Sequence, residues 1–534
     1  MRIVQVASEC HPFVKTGGLA DAVQGLSAAL AARGHEVRVV LPAFRGALPD
    51  GARRLGTLAV AGAGRTWEAT IWEAAPFWCE ADTFPSPLPQ RGRRWGKAPP
   101  SSCDEERSSL SEQTCRVWFV AIPPLYDRDG SPYFDRDGRA WWDNGERFAV
   151  FSRAAAMLAL GLGPGAIAGW RAAVVHGHDW HAGLTSAFLR LGAEKEGIAT
   201  PRTVFTIHNA AFQGWFPYSL FRALDLPDRW WDFRFLEAWG ELNFLKAGVT
   251  LSDVVTTVSN GYAQELLAGK GDYGLQGALA QRAAEKAFLG IVNGIDPVAW
   301  NPLRDSHLAS PIVPGRGFTA AKRSNRAALL ARYGLGDTLE GNRALLVGFV
   351  GRLSEQKGVD WLLAALPETF ERTPMRVVLL GSGDPLLERQ AQTLAARYPQ
   401  RLLVTIGYDE SLAHLIYGGC DLFVMPSRFE PCGLAQLYAM RYGAVPVVRA
   451  VGGLRDTVID ESLGASANGF LFTGDGPQAL GAALLRAFHC WRDRPRRWRT
   501  LVKNAMEGDY SWASRVAAYE SLYRSEGGER GGET

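Results

Sequence analysis

The stretch 421-DLFVMPSRFEPCGLAQLYAM-440 constrains the fold more than any other part of the sequence. Asp421 to Pro426 reads as a short buried strand, and it breaks into a polar turn carrying Arg428, Glu430, Pro431 and Gly433. An Ala-, Leu- and Met-rich segment of helical character follows. In an open α/β sheet, a strand that ends this way delivers polar groups to the crevice at the carboxyl ends of the strands, where ligands bind. The N–H groups that open the next helix point into the same crevice and suit a phosphate or sugar hydroxyls. A carboxylate there can grip hydroxyls or balance positive charge. A charged loop without function would read alike if it stood alone, but the pattern recurs.

It opens the chain. Arg2 to Ala7 predicts a buried strand, followed by 8-SECHPFVKTGGLADAVQGLSAALAARG-34. The Gly17–Gly18 pair predicts a sharp turn and a close approach to a ligand. Leu19, Val23, Leu26 and Leu30 recur at helical spacing, Gly34 ends the helix, and His35 to Leu41 predicts the next strand. Strand, glycine turn, helix and strand make a βαβ unit that opens a doubly wound domain. Lys15, just before the glycines, can neutralise a phosphate.

Further on, 84-FPSPLPQRGRRWGKAPPSSCDEERSSLSEQT-114 is aperiodic and rich in Pro, Ser and Arg, which predicts a long surface insertion. The segment 131-SPYFDRDGRAWWDNGERFAVFSRAA-155, with Tyr133 near its start, mixes aromatics and acids before a helix. That mixture suits stacking on sugar rings and equally suits a half-buried aromatic cluster. In 172-AAVVHGHDWHAGLTSAFL-189 a strand runs into His176, His178, Asp179 and His181. Three close histidines invite a metal reading. The spacing H-x-H-D-x-H displaces the acid from the H-x-H-x-D-H of metallo-hydrolases, so no metal is expected. Another strand ends at His208 and Asn209, in the manner of Asp179. Strands are predicted at 254–258 and 288–292, the second leading into 293-NGIDPVAWNP-302.

After an irregular, Pro-bounded run at about 296–342, read as a linker, 344-ALLVGFVGRLSEQKGVDWLLAALPETF-370 starts a second domain. Its strand leads to Arg352 and Lys357, and two cations ahead of a helix N-terminus point to a diphosphate. No G-x-x-x-x-G-K-[ST] occurs, which excludes the P-loop. Further βα units follow at 376–385, 402–410, the 421–440 stretch and 445–458. Residues 17-GGLADAV-23 and 452-GGLRDTV-458 share G-G-L-x-D-x-V, Asp21 supplying the acid of the first copy.

At 534 residues the chain is too long for one core. Its net charge of +3 is spread out, which argues against nucleic acid, and the basic stretch 483–499 reads as a solvated helix face. Seven scattered cysteines with no C-x-x-C suit a reducing cytosol. No signal peptide or membrane-length apolar run is present, so a cytoplasmic protein without a membrane partner is expected.

The set K-T-G-G-L (15–19), H-D-W-H (178–181), H-N (208–209), N-G-I-D (293–296), R-L-S-E-Q-K-G (352–358) and S-R-F-E-P-C-G-L (427–434), with the closing 509-DYSWASRVAAYESLY-523, resembles bacterial glycogen synthases and plant starch synthases. The resemblance spans about residues 1–523 in the right order, and its chief departure is the insertion. It implies a glycosyltransferase B-type α/β fold, two doubly wound Rossmann-like domains facing a cleft. The domains would be 1–295 and 296–510, with a C-terminal helix in 511–534 packing back on the first. It implies retaining transfer of glucose from ADP-glucose to the non-reducing end of an α-1,4-glucan, glycogen or a maltooligosaccharide, with no cofactor.

Carried over by position, Arg352 and Lys357 hold the leaving diphosphate. Lys15, Gly17, Gly18 and Asp21 approach the nucleotide sugar from the first domain. Glu430 lies by the donor glucose, with Cys432, Gly433 and Leu434 in the same turn. His208, Asp179 and Asn293 line the sugar pocket with Tyr133 nearby, and Tyr408 lies near the adenine. Many related retaining transferases carry a second Glu eight residues after Glu430; here that position is Tyr438, as expected for a glycogen synthase. Ala435 stands where a Thr is common in the family. A UDP-sugar transferase with a small acceptor, a non-catalytic glucan-binding scaffold and the metallo-hydrolase are the rival readings. The residues themselves leave ADP against UDP, acceptor length and oligomeric state open.

Overall fold

The computed structural model describes residues 1–76, 115–271, 273–315, 317–335 and 344–524, and the predicted insertion at about 84–114 lies outside them. The chain divides into two units. Unit 1 comprises Met1–Val258, Ala263–Gly294 and Trp512–Thr534; unit 2 comprises Ser259–Tyr262 and Ile295–Ser511.

Unit 1 is built on strands β1 (Arg2–Val6), β2 (Glu36–Pro42), β3 (Arg53–Ala61), β4 (Thr66–Ala74), β5 (Cys115–Ala121), β6 (Val174–His178), β7 (Arg202–Ile207), β8 (Trp215–Pro217), β9 (Glu237–Ala238), β10 (Glu241–Asn243), β11 (Val254–Thr257) and β12 (Phe288–Gly290). Nine of these form one sheet in the order β12-β11-β7-β6-β1-β2-β5-β4-β3. It is parallel except where β4 meets β3 and β5. After its exposed first residue β1 is buried throughout, as a parallel strand covered on both faces must be. The sheet grows from β1 in two directions, through β2 on one side and through β6 on the other. That makes the β1/β6 boundary its topological switch point. The helix Gly18–Ala32 follows β1 and buries most of its residues. The C-terminal helix Val516–Arg524 belongs to this unit and buries Val516, Tyr519, Glu520 and Tyr523.

Unit 2 holds β13 (Leu346–Val350), β14 (Arg376–Gly381), β15 (Leu402–Ile406), β16 (Leu422–Met425), β17 (Val445–Arg449) and β18 (Phe470–Phe472). They form a parallel sheet in the order β15-β14-β13-β16-β17-β18, with its switch point between β13 and β16. Its core packs Val347, Phe349, Leu362, Leu366, Phe423 and Val447.

The run expected to be an irregular linker contains a helix, Phe318–Ala331. Leu329 and Leu330 join a core cluster with Leu346 and Ile416. Lys322 and Arg326 on this helix are buried. Lys322 Nζ donates to the Cys420 carbonyl at 2.6 Å, and Arg326 pairs with Asp421 at 2.8 Å. The Tyr417 and Cys420 carbonyls that Lys322 meets close the helix Glu410–Gly419, a setting that favours a cation. Burial pulls the Lys322 ammonium down to about 8. The basic stretch 483–499 leaves Arg492, Arg494, Arg496 and Arg499 exposed, as expected of a solvated face, while Arg486 pairs with Asp460 and Arg494 with Glu461. Among the described residues no helix is long and apolar enough to cross a membrane.

Candidate active site

In unit 2 the polar residues gather beyond the carboxyl ends of β13 and β16, at the switch point. The loop after β13 carries Arg352 and Lys357, and the loop after β16 carries Ser427, Arg428 and Glu430. Lys357 Nζ lies 2.6 Å from Glu430 Oε2, and Ser427 Oγ donates to the same oxygen at 3.0 Å. Glu430 is buried while Lys357 is partly open. An ammonium has three donors, so Lys357 keeps two beyond the one aimed at Glu430. Arg352 is exposed and makes no hydrogen bond or ion pair among the described residues. Arg428 is committed elsewhere. It binds both oxygens of Asp360, at 2.7 and 2.6 Å, and holds that carboxyl below its ordinary range.

The two loops touch closely because Gly358 has no side chain. Its φ is +67°, and a Cβ would fall 2.1 Å from the Pro426 carbonyl oxygen, so both space and backbone demand glycine. On the other side Gly453 N donates to the Glu430 carbonyl at 3.1 Å. A Cβ on Gly453 would stand 2.3 Å from the Cys432 carbonyl. The second G-G-L-x-D-x-V copy thus braces the Glu430 turn. Cys432 and Gly433 are buried in that turn, and Leu434 caps the short helix Ala435–Arg441. Tyr438 is buried and stacks on Trp300 with ring centroids 3.7 Å apart, and Trp300 stacks in turn on His414. The position of the second Glu in related transferases is therefore spent on core packing here. Tyr408 is 79% exposed, its hydroxyl donating to Glu410.

In unit 1 a second cluster lies beyond β1 and β6, again at the switch point. Lys15 Nζ pairs with Asp21 at 2.8 Å. Gly17 departs from expectation. Its φ of −162° is extended backbone open to any residue, and an added Cβ would meet nothing within 4 Å. No sharp turn requires this glycine; its effect is to leave open space beside the backbone ahead of Gly18, which starts the helix. The turn is held by Glu9, which the sequence reading missed. Thr16 N and Gly17 N donate to Glu9 Oε2 at 2.5 and 3.2 Å, and the Thr16 and Tyr133 hydroxyls donate to Oε1 at 2.6 and 2.5 Å. Only folding joins an acid at the end of β1 to a tyrosine 124 residues away. Tyr133 also stacks on His181, centroids 4.6 Å apart.

Asp179 is buried with φ +56°, a region that costs a non-glycine residue energy. Its Oδ1 accepts from His208 N at 2.7 Å and Asn209 N at 3.4 Å, tying the ends of β6 and β7 together. Burial raises this carboxyl to about 7, against the lowering effect of those two N–H groups. His176, His178 and His208 are all pulled below the ordinary histidine range by loss of hydration, so each is neutral at pH 7. Among the described residues no three His, Cys, Asp or Glu side chains gather as a metal would need. Asn293 is buried and its amide is without a partner among the described residues.

Both clusters fall in regions matched to known families. Residues 2–281 match the family described as starch synthase catalytic domain, and residues 344–489 match glycosyl transferases group 1. A glycogen synthase from Alkalilimnicola ehrlichii is 44% identical, covering 99% of this chain and all of the relative. One from Hydrogenovibrio crunogenus is 40% identical over 98% of this chain and all of the relative. The solved catalytic domain of starch synthase IV from Arabidopsis thaliana, bound to ADP and acarbose, superposes with a TM-score of 0.80 at 31% identity, covering 98% of each chain. A sucrose-phosphate synthase from Thermosynechococcus elongatus, 19% identical with a TM-score of 0.55, shares the fold. With two doubly wound units, polar residues at both switch points and these full-length likenesses, the chain belongs to the glycogen and starch synthase family of hexosyl-transferring enzymes with a glycosyltransferase B-type fold.

Proposed function

We propose that the protein elongates an α-1,4-glucan by transferring glucose from ADP-glucose to the non-reducing 4-hydroxyl with retention of configuration. The observation that carries the reading is the Lys357–Glu430 pair beside the unpartnered Arg352, beyond the adjacent strands β13 and β16. Departure of ADP builds negative charge on the diphosphate, and fixed cations stabilise charge that develops in the transition state. Arg352 and the two remaining donors of Lys357 are assigned to that diphosphate. Glu430, held by Lys357 and Ser427, balances the positive charge that grows on the sugar as the C1–O bond to phosphate breaks.

The new bond forms from the acceptor oxygen to C1 on the face the diphosphate leaves, and the hydroxyl proton passes to the departing phosphate oxygen. Lys15, Gly17 and Gly18 are assigned to the donor, and the open space beside Gly17 suits a phosphate at a helix N-terminus. His208, Asp179 and Asn293 are assigned to the sugar, and Tyr408 to the adenine. The likenesses to relatives named glycogen synthases support a glucan acceptor.

The test is a donor scan with ADP-glucose and UDP-glucose, using glycogen and maltooligosaccharides as acceptors. Transfer from ADP-glucose into α-1,4-linked product is expected. Transfer only from UDP-glucose to a small acceptor, or glucan binding without turnover, would overturn the reading.

A further inference from the structure

Along β6, His176 and His178 stand two residues apart and therefore share one face of the sheet. Gln5 on β1 is the register partner of His176, Thr206 on β7 that of His178, and Thr256 on β11 that of Thr206. These side chains form a continuous hydrogen-bonded chain. His208 Nε2 lies 3.0 Å from His178 Nδ1, and His178 Nε2 lies 2.7 Å from Gln5 Oε1. Gln5 Nε2 lies 3.4 Å from the Tyr523 hydroxyl, which sits 2.7 Å from His176 Nδ1. His176 Nε2 then reaches Thr206 Oγ1 at 2.6 Å. Tyr523 comes from the C-terminal helix, far from His208 in sequence.

The proton positions along this chain follow from one another. A phenol donates better than it accepts, so Tyr523 gives its one proton to His176 Nδ1. Its oxygen then accepts from the Gln5 amide nitrogen, which turns the Gln5 carbonyl toward His178. Neutral His178 donates Nε2–H to that carbonyl and is left with a bare Nδ1, which only accepts. His208 Nε2 must carry the proton. Its Nδ1, which has no partner among the described residues, is left as a lone pair. Reversing the Gln5 amide would reverse each bond and put the proton on His208 Nδ1.

We infer that Tyr523 is a positioning residue that fixes the tautomer of His208 through Gln5 and His178, so that His208 presents an acceptor Nδ1 to a sugar hydroxyl. This rests on the proposed role of His208 at the sugar.

The experiment is nitrogen NMR of the full-length protein carrying 15N-labelled histidine, with His208→Gln used to pick out the His208 signals. The parent should show protonated Nε2 and bare Nδ1. Tyr523→Phe should shift both His208 signals toward a mixture of tautomers. It should lower kcat by about 3–10-fold, the rate equivalent of one neutral hydrogen bond, while KM for ADP-glucose stays within about two-fold. Gln5→Met, which cuts the chain one link nearer, should give the same shift.

Glu520→Gln is the control for mere loosening of the helix, because Glu520 anchors it to Arg33 and His35 at 2.8 and 2.7 Å. It should leave the His208 signals in place. Unchanged His208 signals in Tyr523→Phe, or equal shifts in Glu520→Gln, would overturn the inference. A tautomer shift without loss of kcat, together with normal kcat in His208→Gln, would instead overturn the role of His208 and leave the relay standing.

Discussion

Glu9→Gln is the sharpest probe of the unit 1 cluster. The two donors on Oε2, Thr16 N–H and Gly17 N–H, are backbone groups and cannot turn away. The two on Oε1 are hydroxyls and can. A glutamine will therefore keep its carbonyl on the backbone side and place its NH2 against the hydroxyls. Tyr133 then redirects its proton to Ser8 Oγ, 2.8 Å away. What is lost is the charge assistance on two backbone bonds, about 1 kcal/mol each from the gap between ionised and neutral hydrogen bonds, or about 2 kcal/mol together.

If the turn that carries Lys15 and Gly17 binds the donor, KM for ADP-glucose should rise by about 10–30-fold, since 1.4 kcal/mol is tenfold. The kcat should stay within about three-fold. The assay is initial-rate transfer at varied ADP-glucose and saturating glycogen, beside thermal unfolding of the same preparation. A fall in Tm of a few degrees is expected. Lower Tm with an unchanged KM would make Glu9 purely structural and remove this turn from the donor site. Normal values of both would refute the hydrogen-bond reasoning itself.

Glu430→Gln should lower kcat by at least ~10²-fold with little change in donor KM, because Glu430 is assigned to charge present only in the transition state; near-normal kcat would remove that role. Gly453→Ala pushes a methyl against the Cys432 carbonyl, so it should lower both Tm and kcat, and an unaffected enzyme would show that the Glu430 turn needs no brace. Burial raises Asp179 to about 7, above the ordinary unfolded value near ~3.9. The proton it holds favours the folded state below about pH 4, and this contribution is lost as pH rises through 7. Asp179→Asn, which still accepts from His208 N, should therefore gain Tm relative to the parent between pH 4 and 8; parallel Tm profiles would contradict it. Because Arg352 and Lys357 are assigned the diphosphate charge, EDTA should leave the rate unchanged, and loss of activity restored by zinc would reopen the histidine cluster as a metal site.

The sequence by itself determined most of the parallel strands, the polar turns that end them and the order of their βαβ units, but it did not mark β3, β4, β5, β8, β9, β10 or β18. Near-continuous apolar runs such as Ile3–Val6 and Leu422–Met425 have one stable destination, a parallel sheet buried on both faces, and the turn after such a strand is polar because it meets the crevice. The motifs with Lys15, His208, Arg352, Lys357 and Glu430 were legible for the same reason, each lying in the loop that follows a strand. Partnerships across the chain were not legible, because hydrogen bonding between distant side chains leaves no local period. The tertiary structure alone spent Arg428 on Asp360 while leaving Arg352 open, buried Lys322 and Arg326 in a helix that read as linker, and stacked Tyr438 on Trp300. It alone made Glu9 the clamp of the Lys15 turn and ran a hydrogen-bonded chain from Tyr523 to His208. Local sequence specifies where a backbone turns; which charges meet in the space beyond is decided when the sheet brings the strand ends together.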